Sequence, residues 1–422
     1  MYAQRIQELK EIASQDLLSS EVFLVLQHCV INEPLFPNLK TLKLASTAGE
    51  VVPFIPLFLS SGAITIDIDF IPSSNLLKVM VPSILTTFAT LCPNMRDVGL
   101  HRLPSDPTIT VAVSGMLLAS NQNALQSFEV DSPLTEAARE VICKIPNLRK
   151  LSVVIGRDTH LPSVVLPNLT HLTIKYDHNS DWVRVFHGAT LGELKTITFE
   201  PGSEQVGDLL EEFETFALAN STQNTLSEFY VYTSCSWNPN YSSLLPFTQL
   251  TYLHVGFSCN DGCSSTVDDD TIANLARAMP KLECLELGNT PCSETLTGVT
   301  AKGLVALAHR CPDLSDLRIH FQVDSLSDPP VIDGVRPDAR SATPQTGCAL
   351  GTLEVGRIIV AEESVPTVAM TLALIFPRIE YIHHVGGNWG ENWRKVMNII
   401  SASRRIVNYS SKEPPLHPPV SF

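Results

Sequence analysis

The sequence is poor in charge and has no concentrated run of basic residues. Charged side chains make up 17% of the 422 residues and apolar ones 44%. That much buriable surface excludes a disordered chain. The net charge of −15 is spread along the chain without a Lys/Arg-rich stretch, so a phosphate backbone or an anionic membrane surface would be repelled. Neither nucleic acid nor membrane is an expected partner. No apolar run reaches about 18 residues, the length a spanning helix needs, and "MYAQRIQELKEIASQ" (1–15) lacks the apolar core of a secretory signal. The ten cysteines show no paired spacing, which argues against a disulfide framework and for the reducing cytoplasm or nucleus.

Signatures of chemistry are equally scarce. There is no Gly-rich phosphate loop, no G-x-S-x-G elbow and no H-E-x-x-H pair. "CNDGC" (259–263) places two thiols four apart but has no second pair at ligand spacing, so loop cysteines that bind nothing are the expectation. His383 and His384 are adjacent, and in a strand they point to opposite faces. "DDD" (268–270) stands just before a helical pattern, where Asp269 or Asp270 serves as N-cap and dipole partner. Cys92 and Cys311 occupy the same place before a proline, which implies packing and not reactivity. No catalytic, metal-ligating or cofactor-binding residue is assigned, and no enzyme is expected.

What the chain does have is a repeat. FPNLKTLKL (36–44), CPNMRDVGL (92–100), IPNLRKLSV (145–153), LPNLTHLTI (166–174), MPKLECLEL (279–287) and CPDLSDLRI (311–319) share one apolar pattern, x-x-x-Φ-x-x-Φ-x-Φ. Degenerate copies fill the intervals, and FPRIEYIHH (376–384) breaks the pattern only at His384. The first apolar positions are Leu39, Ala63, Met95, Leu125, Leu148, Leu169, Leu194, Leu226, Leu250, Leu282, Leu314, Leu350 and Ile379, spaced 21 to 36 residues apart. The last two apolar positions alternate with polar neighbours, the period of a short strand with one buried face. Between them, "DDDTIANLARAMP" places Ile272, Leu275, Ala276 and Met279 on one helical face, and "VTAKGLVALAHRCP" does the same with Thr300 as a cap. "PSILTTFATLCP" and "VGDLLEEFETFALA" also read as helices.

Strand, loop, helix, loop is thus the unit, and strands joined through helices lie parallel. The expected fold is α/β: a leucine-rich-repeat solenoid, or horseshoe, with a parallel β-sheet on the concave face and helices on the convex face. About 13 irregular repeats occupy 1–385, with a loop insertion at 324–347. "RIQELKEI" is open between a helix and an edge strand, with the edge strand preferred. Residues 386–409 are expected to form a C-terminal capping helix that buries Trp389, Trp393, Val396 and Ile400, and 410–422 a disordered tail.

With "GLVALAHRCPDLSDLRI" and "TIANLARAMPKLECLEL" in serial order after "YAQRIQELKEI" and "LFPNLKTLKL", the chain resembles the leucine-rich-repeat region of F-box proteins, particularly the large, divergent fungal set. That resemblance implies a protein–protein interaction module, the substrate-recognition region of an SCF-type ubiquitin ligase, with catalysis left to other subunits. No F-box is visible, so a Skp adaptor and a cullin are expected partners only if an F-box lies upstream. The residues after the strands (Thr47, Gly156, Asp177, Ser258, Thr290) depart from the family's Asn or Cys, which implies a less uniform internal ladder. The alternative is a free-standing interaction scaffold with no link to ubiquitin.

If the strand register holds, two polar columns face solvent on the concave sheet. Aromatics cluster in their middle: Tyr230, Tyr232, Tyr252 and His254 come from successive strands and are bordered by Glu228, Glu286, Asp316 and Arg318. Tyr and Arg are favoured where interfaces concentrate their energy, so these eight residues are the candidate protein-binding site. The target itself is not identified by the sequence.

Overall fold

The computed structural model describes residues 3–13, 24–25, 34–47, 52–71, 75–155, 165–176, 189–201, 209–234, 239–258, 267–288, 298–326, 347–355, 358–384 and 390–410. The CNDGC pair, Trp389, 411–422 and most of the 324–347 insertion lie outside them. The chain divides into a first unit, Met1–Gly207 with Thr215–Leu226, and a second, Asp208–Glu214 with Ser227–Phe422.

The apolar triplet builds the same piece of structure in repeat after repeat, and in the last, β-strand Tyr381–His384, Ile382 and His384 are half-buried. All thirteen first-position residues, from Leu39 to Ile379, are at most 1% exposed. The two that follow sit two apart on a strand and therefore share its buried face, as Leu42 with Leu44 and Leu253 with Val255 do.

The first unit holds β1 (Glu8–Ala13), β2 (Thr41–Thr47), β3 (Thr65–Phe70), β4 (Asp97–His101), β5 (Ser127–Pro133), β6 (Lys150–Ile155), β7 (Val165–Leu166), β8 (His171–Tyr176), β9 (Thr190–Leu191) and β10 (Thr196–Pro201). Eight of these form a parallel sheet in chain order, while β7 and β9 pair separately with each other. The second unit holds β11 (Glu228–Ser234), β12 (Tyr252–Ser258), β13 (Cys284–Leu287), β14 (Asp316–Ile319), β15 (Thr352–Val355) and β16 (Tyr381–His384), again parallel and in chain order. The α/β class and the parallel sheet are as the repeat requires. "RIQELKEI" supplies the edge strand β1, with Leu9 opposite Leu42 and Ile12 opposite Leu44 across a bulge.

Repeat length selects the connector. Where first positions are about 30 residues apart, the connection holds an α-helix: α1 (Asn75–Leu91), α2 (Pro107–Ala119), α4 (Leu209–Asn220), α5 (Asp269–Ala278), α6 (Ala301–Arg310) and α7 (Val365–Ile375). Shorter spacings leave room for less, such as α3 (Glu136–Ile142) or the 3₁₀ turns Val52–Phe58 and Tyr241–Leu244, which cover more distance per residue. A last helix, α8 (Gly390–Ser410), packs on α7 and β16 and buries Trp393, Val396 and Ile400, with the Trp393 indole donating to the Ile358 carbonyl at 2.9 Å. Among the described residues no helix is long and apolar enough to cross a membrane.

The stack is more uniform than the irregular residues after the strands imply, because its ladder lies before them. The carbonyl just ahead of a strand accepts two N–H groups from the next repeat. Lys40 accepts from Ile64 and Thr65, Ile64 from Arg96 and Asp97, Thr251 from Glu283 and Cys284, and Glu283 from Ser315 and Asp316. The Pro-Asn of the nine-mers adds a side-chain rung. Asn38, Asn147 and Asn168 each donate to a backbone carbonyl of the preceding repeat, those of Gln4, Asn123 and Pro146. These bonds tie each repeat to the one before it and account for a motif that carries no apolar residue at that position.

Aspartates link successive helices in the second unit. The N-cap of α5 is Asp268, one residue earlier than the pattern suggests, and its side chain accepts from Thr271 N at 2.8 Å. Asp269 turns instead to the next repeat and accepts from Thr300 N, Thr300 Oγ1 and Gly303 N at 2.7, 2.6 and 2.9 Å, while Thr300 caps α6 as expected. Asp269→Ala strands three donors and is expected to cost about 2 kcal/mol. Asp268→Ala loses one cap bond and about 1 kcal/mol. Urea unfolding of the two variants checks the order, and equal losses would contradict it.

Candidate functional site

The polar side of each strand is a column of residues in register. In the second unit one row runs Glu228, Tyr252, Cys284, Asp316, Thr352 and Tyr381, and the next runs Tyr230, His254, Glu286, Arg318, Glu354 and His383. Tyr232 lies one step further along, opposite Gly256. All eight predicted site residues therefore fall on one sheet face, carried there by β11 to β14. Period 2 placed them, and the strand pairing brought them together.

They are not equally available. Tyr232 is 46% and Tyr252 36% exposed, Arg318 is exposed, and Glu228, Tyr230 and Asp316 are half-buried. His254 and Glu286 were expected to face solvent, and this is a correction: they are 8% and 3% exposed. Their neighbours cover them. The Tyr232 ring lies 4.5 Å and the Tyr230 ring 6.0 Å from the His254 imidazole, centre to centre.

A buried carboxylate needs donors, and His254 and Arg318 are among those of Glu286. Its Oε2 accepts from His254 Nδ1 at 2.7 Å and from Arg318 Nη1 at 3.2 Å, and Arg318 Nε continues the chain to Glu354 at 3.1 Å. In the neutral ring the His254 proton then sits on Nδ1 and the lone pair on Nε2. That Nε2 is buried and has no hydrogen-bond partner among the described residues. It packs over Gly256, where an added Cβ would stand 2.6 Å from it, so only glycine leaves the ring this seat.

Electrostatics on this face run one way. Burial, then Glu228, push the Tyr230 phenol up, and Glu283 is the leading cause of the rise at Tyr252. Burial pushes the Cys284 thiol up to about 11, with Asp316 and Glu286 adding to it. A thiol held there is protonated at neutral pH and a poor nucleophile despite a histidine two residues from its register partner. Cys92 and Cys311, pushed by burial to about 11 and about 12, donate to backbone carbonyls of the preceding repeat, as packing cysteines would. Among the described residues no group of three or more His, Cys, Asp or Glu is placed to hold a metal ion.

The first unit carries a polar row of a different kind, in which acids and bases are matched. Asp67 accepts from Lys43 at 3.1 Å and from His101 Nε2 at 3.3 Å, Arg102 pairs with Asp69, and Lys175 bridges Asp131 and Glu200 at 2.7 and 3.0 Å. Sequence reasoning did not single these residues out. The hydrogen bond that His101 donates to Asp67 is the main cause that raises the His101 pKa, and the same bond is the main cause that lowers that of Asp67. The His101 contribution to stability is therefore present below its ordinary value of about 6.5 and lost as pH rises through the raised one. The Asp67 contribution is present above its ordinary value of about 3.9 and lost as pH falls through the lowered one. Asp67→Asn is expected to move the His101 imidazole titration downward, read by NMR of the ring protons. A rise or no movement would mean that the pair is not formed in solution.

No protein-family model matches this sequence, and a search of curated proteins returns no match.

Proposed function

We propose that the chain is a leucine-rich-repeat solenoid whose polar sheet face is the concave side of a horseshoe, and that it works as a protein–protein interaction module without catalysis of its own. One observation carries the reading. Tyr232, Tyr252 and Tyr381 leave much of their rings in solvent on the polar face of the sheet, opposite the face on which the repeats bury their apolar side chains. Exposed aromatic rings beside a half-exposed arginine are what interfaces use as anchors. The resemblance to F-box proteins extends the proposal to substrate recognition for an SCF-type ubiquitin ligase, with the Skp adaptor and cullin recruited through an F-box. Without that recruitment the same face serves a free-standing scaffold.

A photo-crosslinking residue placed at Tyr232 and, as control, at Val111 on α2 tests the first part in cells with the proteasome blocked. A specific protein joined at 232 and absent at 111 is the expected result, and adding Tyr230→Ala/Tyr252→Ala should lower its yield about tenfold. Equal labelling from both positions would end the proposal. Recovery of a Skp adaptor and a cullin with that protein supports the ligase role, and its recovery without them supports the scaffold.

A further inference from the structure

We infer that the open edge of β16 takes an extended segment of a partner protein as one more parallel strand. This surface is separate from the tyrosine group on β11 and β12, and the inference does not depend on what that group binds. In the second unit the carbonyl just ahead of each strand accepts two N–H groups from the next repeat, as Ser227, Thr251, Glu283, Ser315 and Gly351 all do. Glu380 stands next in that line, and its carbonyl accepts none among the described residues. In a parallel ladder alternate residues turn their backbone groups to opposite sides. Tyr381 donates to Gly351 in the repeat before it, so Ile382 and His384 turn theirs to the side where the ladder stops.

The inner face is unfinished at the same place. The paired inner-face side chains of β12 to β15, such as Leu253 with Val255 and Leu353 with Val355, are at most 3% exposed, whereas Ile382 and His384 are half-buried. Helix α8 closes the core with Trp393, Val396 and Ile400, and its Arg404 guanidinium donates to the Ile379 carbonyl, one residue short of Glu380. Charge or proline normally blunts an exposed edge. The edge strand of the first unit, β1, reads ELKEIA with three charges, but β16 reads YIHH, without lysine, acid or proline.

The edge determines what fits it. Its backbone groups require an extended chain with free N–H groups, which excludes residues 411–422, SKEPPLHPPVSF, with their four prolines. A second copy would bring a whole repeat, and α8 already packs on β16 where the core of that repeat would go. Ile382 and His384 call for apolar side chains on the inner side of the added strand. On the other side the row Glu286, Arg318, Glu354 and His383 alternates acid with base, so an acid comes next. The occupant is therefore an x-Φ-acid-Φ segment that runs parallel to β16 and is recognised by strand addition.

The test uses the full chain and the peptide Gly-Thr-Leu-Glu-Val-Gly, with amide hydrogen exchange and binding read by NMR. Added peptide should slow exchange at Ile382 and His384 about fivefold or more and leave Tyr381 and His383, whose backbone faces β15, within about twofold. N-methylation of the peptide's glutamate, whose N–H faces β16, should weaken binding about tenfold, while N-methylation of its leucine, whose N–H faces away, should leave it within about twofold. Glutamine in place of that glutamate, or His383→Ala in the chain, should each lose about threefold. Thermal unfolding confirms that the variant is folded. No slowing at Ile382 and His384, or equal losses from the two N-methylated peptides, overturns the inference. Slowing at those amides that grows with protein concentration and needs no peptide assigns the edge to a second copy and overturns it too. None of these outcomes bears on the crosslink at Tyr232, so the two readings stand or fall separately.

Discussion

His254→Leu is expected to cost the protein about 3 kcal/mol of unfolding free energy, the range seen when one partner of a buried pair is removed. The variant takes the shorter of two charged-row contacts, 2.7 Å against 3.2 Å for Arg318, from a Glu286 carboxylate that is 3% exposed. Arg318 is itself half in water and divided with Glu354, so it cannot replace the bond that His254 makes at 2.7 Å. Glu286→Leu should cost less, about 1–2 kcal/mol, because it removes the buried charge and strands only the Nδ1 donor. The double variant His254→Leu/Glu286→Leu should lie within about 1 kcal/mol of the natural chain, since an apolar pair of similar volume replaces the buried polar one. Urea unfolding of the four proteins completes the cycle. Additive losses would show that the two side chains do not depend on each other.

The same pair marks the limit of what the sequence discloses. Period 2 says which face of a strand a residue occupies, and it does so correctly for every predicted site residue from Glu228 to Arg318. Depth on that face is a different property. It depends on the width of the side chains next door, here Tyr230 and Tyr232, and on which carboxylate finds donors within reach. The apolar triplets were legible for the opposite reason, because thirteen copies of one local rule identify the core without any neighbour being known. Helix α2 escaped notice because PTITVAVSGMLLA is apolar almost throughout, and a helix without a polar side shows no 3.6 period. The Asp268 cap was misplaced by one residue because three consecutive aspartates are equivalent on paper. Their roles separate only when Asp269 meets Thr300 in the next repeat.

A second large loss is expected at a residue that no pattern marks. Gly192 closes the repeat that contains β9, and its N–H donates to the Leu166 carbonyl of the repeat before it at 3.1 Å. At that approach an added Cβ would stand 1.6 Å from the Pro167 carbonyl oxygen and 2.4 Å from its carbon. Both obstacles are backbone, so no side-chain rotation relieves them, and one repeat must shift against the other. The shift would strain the paired residues Leu166 and Leu191 and the Asn168 bond to Pro146, which all lie on the same turn. Gly192→Ala is therefore expected to lose about 3 kcal/mol or more, above the usual range for one inserted methyl group in a packed interior. Gly115→Ala is the matched control. Gly115 sits within α2 with nothing within 4 Å of an added Cβ, and alanine there should stabilise by about 0.5–1 kcal/mol through helix propensity. Chemical denaturation of both variants, followed by far-UV circular dichroism, gives the comparison. A loss at 192 no larger than about 1 kcal/mol would mean that the two turns are further apart in solution than their hydrogen bond requires.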